Sequence, residues 1–459
     1  MYSMRFKDID MLNGSLWSNI FLFTLPVMLS GVLQLLFNAI DMIVVGKFSG
    51  SLSMAAVSST GSLINLVTNL FIGMSVGSSV CIARRIGSRD YDKVRDAVHS
   101  SILIAMVSGV LLMFVGIAFS RKFLEMMGSP EDVISLSALY LRIYFTGMPA
   151  TMVYNFASGV LKAKGDTRRP LFALLIAGVL NASLNLFFVI VFHMDVAGVG
   201  LASSISSYVS AFFVLYALVK DEGIVQLDLR HLYIEKSAMK EILQVGIPAG
   251  LQSTIFSISN VAIQSSVNSF GPIVMAANGA AGSIADFVYT IMNSFYQSCL
   301  TFTSQNVGAG KYDRVSRILS VCLILVCISG VLIGNLVYLN GNGLLNIYSD
   351  DPAVIAAGMI KLSIFCRPYF LCGMMDVLVG SLRGMGYSIF PMFTSLMGSC
   401  AFRLIWIATY FKAHHSIDVL YFSYPLSWTV TGLVHLCTFF VGYSLLRKRE
   451  KCKGMSTVL

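Results

Sequence analysis

Long apolar stretches recur along the whole chain, and they constrain its fold more than any other feature of the sequence. A helix needs about 20 apolar residues to cross the hydrocarbon core of a bilayer. Only 12% of the 459 residues are charged, whereas soluble domains carry about 25%. Twelve stretches are long enough to span: residues 16–45, 53–81, 97–119, 133–160, 170–192, 197–219, 241–269, 273–303, 317–339, 354–382, 389–411 and 419–446. The sequence therefore predicts an all-α polytopic membrane protein in contact with lipid, and it excludes a soluble enzyme, a disordered chain and a fibre.

Basic residues are distributed unevenly between the two sides of the membrane that these spans define. With a cytoplasmic N-terminus, 24 of the 32 Lys and Arg residues fall in cytoplasmic segments, and only Lys47, Arg121, Lys122 and Lys412 fall outside. Cytoplasmic loops of membrane proteins carry such an excess. We therefore expect a multi-pass protein of the plasma membrane or cell inner membrane with both termini in the cytoplasm. These loops account for the net charge of +9, so no nucleic-acid partner is expected.

The two halves of the chain resemble each other at an offset of 221 residues. Residues 86–94 (IGSRDYDKV) align with 307–315 (VGAGKYDRV), and residues 159–165 (GVLKAKG) align with 380–386 (GSLRGMG). Apolar bias cannot generate shared polar loops, which makes chance similarity a poor explanation. Each repeat holds six spans, so both run in the same direction, as in transporters with parallel repeats.

The repeat predicts the domain organisation. We expect two six-helix bundles, residues 1–228 and 229–459, in a protein that acts as a monomer. In secondary transporters of this kind the substrate site lies between or within the bundles.

Motifs of enzymes and of ATP-driven pumps are not evident. No HExxH, GxSxG or GxGxxG motif stands in a convincing context. The glycines before Lys311 do not form a phosphate loop, because Gln305 occupies the position of the first glycine and Tyr312 the position of the Ser/Thr. The nine cysteines include no CxxC pair, which argues against a zinc site or a disulfide framework. We expect no enzymatic activity and no cofactor, so an ion gradient drives transport or the protein is passive.

A polar stripe marks the first span. Ser30, Gln34, Asn38 and Asp41 recur at spacings of four, four and three residues, so they share one helix face. Pro26 precedes the stripe and removes a backbone hydrogen bond, which loosens the helix there. This pattern predicts a cavity wall on a helix that bends at Pro26.

Asp41 is one of three acidic residues that lie inside the spans rather than at their ends, and intramembrane acids commonly mark ion or proton pathways. Depth along the spans places Asn181 and Asn185 of the fifth span and Ser203 of the sixth close to it. Oxygen ligands of this kind suit a small hard cation such as Na⁺, and the carboxylate alone can carry a proton. Alternatively, the Asn and Ser side chains form hydrogen bonds that join the helices.

The other two intramembrane acids, Asp286 and Asp376, lie in the second half of the chain. Arg367 and Arg403 are also within spans, and because an isolated charge is costly there, we expect Asp286 or Asp376 to lie within salt-bridge or water-bridged reach of one of these arginines. Under the 221-residue offset the acids match Asn65 and Asn155, whereas Asp41 matches Ala262, so the two bundles differ in role. We expect the substrate cavity to be lined by Gln34, Asn38, Asn155, Asp286, Asp376 and Arg367.

Four motifs resemble those of the multidrug and toxic compound extrusion (MATE) family, and the resemblance extends over nearly the whole chain. They are Pro26 with residues 41–46 (DMIVVG), 158–166 (SGVLKAKGD), 304–312 (SQNVGAGKY) and 381–384 (SLRG). The resemblance implies a V-shaped pair of bundles and export of organic cations in exchange for H⁺ or Na⁺. It also implies that the first-span acid, Asp41, couples the ion.

The sequence departs from the family pattern at three places. Family members often carry Asn-x-x-x-Asp on the fifth span, but here Asn185 occupies the position of the acid. Some members have a Glu in the seventh span, whereas this chain has no Glu around Phe256. Asp376 lies one turn from the tenth-span acid of certain members.

The function that the sequence favours is antiport by alternating access, with export of amphipathic, often cationic compounds. The single formal charge at Asp41 favours H⁺ over Na⁺ as the coupling ion. The alternative is a flippase for lipid-linked sugars, which has the same architecture and uses intramembrane basic residues to hold phosphates. A passive channel is disfavoured by the buried acids and the repeat.

Overall fold

The computed structural model describes residues 8–127 and 131–456, and every regular element in this part of the chain is helical. Arg5 and Lys7, which contribute to the cytoplasmic charge count, lie outside the described residues. The first repeat contains α1 (Leu16–Phe48), α2 (Ser51–Gly87), α3 (Tyr91–Met126), α4 (Glu131–Thr146), α5 (Met148–Lys164), α6 (Arg168–Leu186, extended by a π-helical turn Phe187–Val191) and α7 (Asp195–Val219).

The second repeat has corresponding helices. These are α8 (Lys236–Asn268), α9 (Pro272–Gly308), α10 (Tyr312–Leu339), the short α11 (Gly341–Asn346), α12 (Pro352–Phe365), α13 (Tyr369–Gly384), α14 (Ile389–Ser395), α15 (Phe402–Trp406) and α16 (Ile417–Ser456). A π-helical segment, Leu396–Ala401, joins α14 to α15, and a second, Ile407–Phe411, extends α15 to the end of the same span. The predicted fourth span consists of α4 with α5, and the tenth consists of α12 with α13.

Matching helices begin 221 residues apart. This holds for α2 and α9 at Ser51 and Pro272, and for α3 and α10 at Tyr91 and Tyr312. Both α2 and α9 follow a glycine, Gly50 or Gly271, with a φ of 89° or 88°, a conformation that favours glycine. The offset read from the sequence therefore describes equivalent positions in the structure.

Membrane crossing follows from helix length and composition. Within residues 8–127 and 131–456, nine helices are long and apolar enough to cross a bilayer. A tenth span results if α12 and α13, which are bent by 45° at the break near Pro368, are taken together. The two remaining predicted spans, 133–160 and 273–303, coincide with α4–α5 and with α9. The chain is a multi-pass helical membrane protein, as predicted.

The described residues pack into two compact units. Unit 1 consists of Leu29–Thr254 with the described residues up to Ile9, and unit 2 consists of Asp10–Met28 with the chain from Ile255 onwards. The start of α1 therefore belongs to unit 2, and the start of α8 belongs to unit 1. These units describe packing rather than repeats, so the division at residues 228 and 229 stays a prediction.

Each unit is held together by close approaches between its helices. In unit 1, a Cβ on Gly73 would lie 2.2 Å from the backbone nitrogen of Gly250, so α2 and the start of α8 touch backbone to backbone. In unit 2, the hydroxyls of Thr24 and Ser298 lie 2.7 Å apart and join the start of α1 to α9. Phe23 packs edge-to-face on Phe302 beside them, with centroids 5.5 Å apart.

Candidate functional site

A cavity of about 440 Å³ lies within unit 1. Its wall includes Gln34, Asn38 and Asp41 of α1, all of which belong to the polar stripe recognised in the sequence. Gln34 and Asn38 are exposed and Asp41 is partly buried. The described lining residues include no Lys or Arg. Asp41 is therefore the charged group of this wall, in a cavity whose size is typical of small-molecule sites.

Asp41 belongs to a closed ring of hydrogen bonds with three other side chains. Asn185 Nδ2 donates to Asp41 Oδ1 and to Asn181 Oδ1, the latter over 3.2 Å. Asn181 Nδ2 donates to Ser203 Oγ over 3.4 Å, and Ser203 Oγ donates to Asp41 Oδ2 over 3.2 Å. Both carboxylate oxygens thus accept a hydrogen bond. The structure brings together the four residues that the sequence predicted as an ion-coupling site, although it does not test their role.

The local fold explains why these residues meet. Asn181 and Asn185 are one turn apart on α6, and both are buried, with 5% and 0% of their surface exposed. Ser203 comes from the first half of α7, which packs against α6. One atom of the ring stays without a partner, since Asn185 Oδ1 is buried and accepts no hydrogen bond from any described residue.

Two tyrosines complete the wall of the cavity, and the sequence reasoning missed them. Tyr140 and Tyr144 of α4 line the cavity and stack with ring centroids 5.7 Å apart. The charge of Asp41 acts on both side chains. Their spacing of four residues inside a predicted span was the available signal. An aromatic wall next to a carboxylate can bind organic cations through cation–π interactions.

The remaining residues that were predicted to line the substrate cavity do not line this one. Asn155 lies on α5 and donates back to the carbonyl of Thr151 over 2.8 Å. Asp286, Asp376 and Arg367 belong to unit 2. Pro26 is buried within α1, which runs unbroken from Leu16 to Phe48, and lies just before the helix passes from unit 2 to unit 1.

No salt bridge among the described residues joins Asp286 or Asp376 to Arg367 or Arg403, so the direct form of the expected pairing is not found, while the water-bridged form stays a prediction. Aromatic rings meet these arginines instead. The guanidinium of Arg403 lies 4.0 Å from the centroid of the Tyr424 ring, and its Nε donates to Ser427 over 2.9 Å. Arg367 lies 5.2 Å from the Tyr338 ring.

Different cations act on the two acids of unit 2. The charge of Lys361 acts on Asp286, and that of Arg383 acts on Asp376. Asp376 Oδ2 is buried and accepts no hydrogen bond from any described residue, while the nearby Tyr289 hydroxyl accepts one from Asn293 over 3.4 Å. The sequence placed Lys361 within a span without predicting a partner for it, and Arg383 was counted among the residues of the cytoplasmic segments.

Groups of three or more His, Cys, Asp or Glu side chains that could hold a metal ion are not found among the described residues. The Asp41 ring supplies one carboxylate, two amide oxygens and one hydroxyl. Such a set could hold a proton or, as the sequence suggested, a Na⁺ ion.

Comparisons with known proteins agree with this architecture. The MatE family model matches residues 26–187 and 248–409, once in each repeat. The chain is 27% identical over 429 residues to the probable multidrug resistance protein YoeA of Bacillus subtilis, covering 92% of both chains. It is 21% identical over 364 residues to the multidrug export protein MepA of Staphylococcus aureus, covering 79% of this chain and 80% of MepA.

A solved structure shows the same fold. The outward-facing conformation of a multidrug resistance MATE family transporter superposes with a TM-score of 0.89 at 20% sequence identity, covering 96% of this chain and 99% of the other.

Proposed function

The chain belongs to the MatE family, the MATE transporters that its motifs resemble, and we propose that it exports amphipathic, often cationic organic compounds in exchange for protons. Membership of this family makes the protein a transporter rather than a catalytic enzyme. The names of its relatives, which refer to multidrug resistance and multidrug export, support organic compounds as the cargo.

The observation that carries the proposal is the hydrogen-bonded ring around Asp41 in the wall of the unit 1 cavity. The ionised carboxylate accepts one hydrogen bond at each oxygen, from Asn185 and Ser203. An organic cation in the cavity would be attracted to this charge and to the rings of Tyr140 and Tyr144. Loading Asp41 with an ion removes the charge, and with it the attraction for the cargo.

Asn185 gives the ring a way to satisfy a proton on Asp41. Its Nδ2 donates to the ionised carboxylate, while its Oδ1 is buried without a donor among the described residues. A protonated Asp41 is itself a donor and needs an acceptor. Rotation of the Asn185 amide would present Oδ1 to that proton, so one side chain serves both protonation states.

We propose that proton loading also changes the shape of α1. The helix lacks one backbone hydrogen bond at Pro26, and the polar stripe that ends at Asp41 lies beyond this point. Once Asp41 is neutral, the second half of the helix can move into the cavity and expel the cargo outward. Release of the proton into the cytoplasm resets the cycle.

The alternative function, a flippase for lipid-linked sugars, gains no support from the site. A phosphate group requires basic side chains, and the described residues that line the cavity include none. In unit 2, Arg403 is already packed on Tyr424 and bonded to Ser427.

The test is uptake of a fluorescent organic cation by everted membrane vesicles. With the wild type we expect uptake driven by an imposed pH gradient and unchanged by a Na⁺ gradient. Asp41→Asn should reduce this uptake to the level of vesicles without the protein, while its membrane insertion stays normal because an amide is cheaper to bury than a charge.

The matched control is Asp132→Asn, the same change at an exposed position near the start of α4. It should transport like the wild type at equal expression. Full transport by Asp41→Asn would overturn the proposed role of Asp41. Uptake driven by Na⁺ alone would replace H⁺ as the coupling ion.

A further inference from the structure

Lys361 is a buried lysine inside unit 2, with only 8% of its surface exposed. It lies on α12, and its ammonium group donates to two oxygens of one residue of α9, the backbone carbonyl of Asn278 over 3.0 Å and Oδ1 of the same residue over 2.8 Å. Buried charges within a membrane are costly unless they are paired and hydrogen-bonded. A lysine held in this way therefore occupies a built site.

The site surrounds the ammonium on several sides. The Phe365 ring centroid lies 5.3 Å from Nζ and the Tyr421 ring centroid 5.8 Å from it. The Tyr421 hydroxyl donates to the same Asn278 Oδ1 over 3.0 Å, and Asn278 Nδ2 donates to Gln264 over 2.8 Å, which fixes the amide with its oxygen towards the lysine. Carbonyl oxygens and ring faces are the groups that recognise a monovalent cation.

The ammonium group of Lys361 lies next to a position of α9 that has no side chain, Gly282. Nζ lies 3.3 Å from where a Cβ on Gly282 would be, one turn after Asn278 and one turn before Asp286. Within the described part of the chain, Lys361 forms no salt bridge with Asp286, so their charges interact over a longer distance, and the thiol of Cys366 also interacts with the lysine. Asp286 is exposed, so the seat adjoins an accessible surface. We call Asn278, Gly282, Phe365 and Tyr421 the ammonium seat.

The repeat shows what this seat replaces. Under the 221-residue offset, the equivalents of Asn278, Gly282, Asp286, Lys361 and Phe365 are Val57, Gly61, Asn65, Tyr140 and Tyr144. All five equivalents line the open cavity of unit 1. A Cβ on Gly61 would meet nothing within 4 Å, whereas one on Gly282 would meet the ammonium. The place that is open in unit 1 is thus filled in unit 2 by a cation attached to the chain.

We propose that Lys361 is a resident cation that offsets the charge of Asp286 from the ammonium seat, so that Asp286 takes up no coupling ion and the coupled ion binds at Asp41. The part of this proposal that concerns Asp41 rests on the proposed function, whereas the ammonium seat stands without it. The ligand class that the seat would accept, once the lysine is shortened, is a small primary alkylammonium ion.

The first experiment tests the seat without any transport. Purified Lys361→Ala in detergent is titrated with n-butylammonium chloride, and its melting temperature is followed against n-butanol and NaCl as controls. We expect a saturable rise of several degrees with butylammonium alone, absent in the wild type and in Lys361→Met, whose side chain refills the space. The rise should fall by at least half in Lys361→Ala/Asp286→Asn.

The ammonium seat would be disproved if the melting temperature of folded Lys361→Ala shows no saturable rise with butylammonium, or if the wild type shows an equal rise. If Lys361→Ala does not fold, recovery of monodisperse protein from membranes solubilised in butylammonium, compared with butanol, gives the same decision.

The second experiment tests the ion count in proteoliposomes, from the reversal potential of transport of a fixed-charge organic cation. We expect one coupled ion per exported molecule for the wild type and two for Lys361→Ala, in which Asp286 must be neutralised from solution. Two ions in the wild type would overturn the proposal. If the wild type shows no gradient-driven transport, the proposed function is refuted. The butylammonium titration would still show whether the ammonium seat exists.

Discussion

The equivalent places in the two units are built from opposite charges. In unit 1 the place next to Gly61 is part of a cavity whose charged group is Asp41, held by Asn185 and Ser203. In unit 2 the equivalent place holds the ammonium of Lys361 over Gly282. The same arrangement of helices therefore holds an acid without a cation in unit 1, Asp41, and a cation that belongs to the chain in unit 2, Lys361. The difference teaches that repetition of the fold does not imply repetition of the ion site.

The largest effect is expected when unit 1 receives a lysine at the position equivalent to Lys361. Tyr140 is the equivalent of Lys361 and lies in the cavity wall with Asp41. Tyr140→Lys should neutralise Asp41 from within and reduce pH-driven uptake in everted vesicles to background, because the acid no longer needs a proton. Tyr140→Phe keeps the ring and should retain most of the uptake. Wild-type uptake by Tyr140→Lys at equal expression would show that the two places are not equivalent.

A second acid in the Asp41 ring should change the ion rather than abolish transport. Asn185→Asp places a carboxylate beside Asp41, and two adjacent carboxylates with amide and hydroxyl oxygens favour a hard cation such as Na⁺. We expect uptake to become severalfold faster in NaCl than in choline chloride when no pH gradient is present.

The control for this change is Asn181→Asp, which adds the same charge one turn away, next to Ser203 rather than Asp41. It should respond to Na⁺ less. Equal rates of Asn185→Asp in the two salts would contradict the expectation.

The sequence was sufficient to predict the fold and the Asp41 ring, because both follow from periodicity. Spacings of about 3.6 residues put Asn181 and Asn185 on one face, and the order of spans gave the depth of Asp41 and Ser203. The aromatic partners of Arg403 and Lys361 could not be predicted in this way. A cation in a membrane can be stabilised by an acid, a carbonyl or a ring, and only the packing of α12 against α9 and α16, and of α15 against α16, decides which of these it meets.

A second pair of equivalent positions in the two units differs in chemistry as well. Asp221 has a side chain only 2% exposed, and its Oδ2 lies 2.8 Å from Lys164 Nζ and 3.2 Å from Arg169 Nη1. The equivalents of Lys164 and Asp221 in unit 2 are Met385 and Gly442, where a Cβ on the glycine would lie 3.0 Å from the Tyr387 ring and 3.8 Å from the Met385 methyl group. Unit 1 uses ion pairs where unit 2 uses van der Waals packing.

This contrast predicts that acid weakens unit 1 through Asp221. Burial acts to raise the pKa of Asp221, but the hydrogen bond and charge of Lys164 outweigh it, and the pKa is lowered below its usual value. The stabilisation is therefore present above pH ~4 and is lost as the pH falls through the lowered pKa. Asp221→Asn should reduce the free energy of unfolding at pH 7 by about 2 kcal/mol.

Thermal melts between pH 3 and pH 7 check this prediction. The difference between wild type and Asp221→Asn should be constant from pH 5 to pH 7 and should shrink below pH 4. Asp228→Asn, at a loop acid whose side chain is 37% exposed, is the control and should change the melting temperature much less. A difference that grows on acidification would contradict the assigned sign.

The smallest expected effect compares the two equivalent glycines directly. Replacing Gly by Ala within a helix is favourable by about 0.5–1 kcal/mol where space allows. Gly61→Ala has open space and should raise the melting temperature slightly, whereas the methyl group of Gly282→Ala would press on Lys361 Nζ at 3.3 Å and push the ammonium away from Asn278. We therefore expect Gly282→Ala to be less stable than Gly61→Ala by about 1 kcal/mol. In the Lys361→Met background the ammonium and its hydrogen bonds to Asn278 are gone, so the two alanine substitutions should become alike. A penalty at Gly282 that persists without the lysine would assign the difference to helix packing rather than to the resident cation.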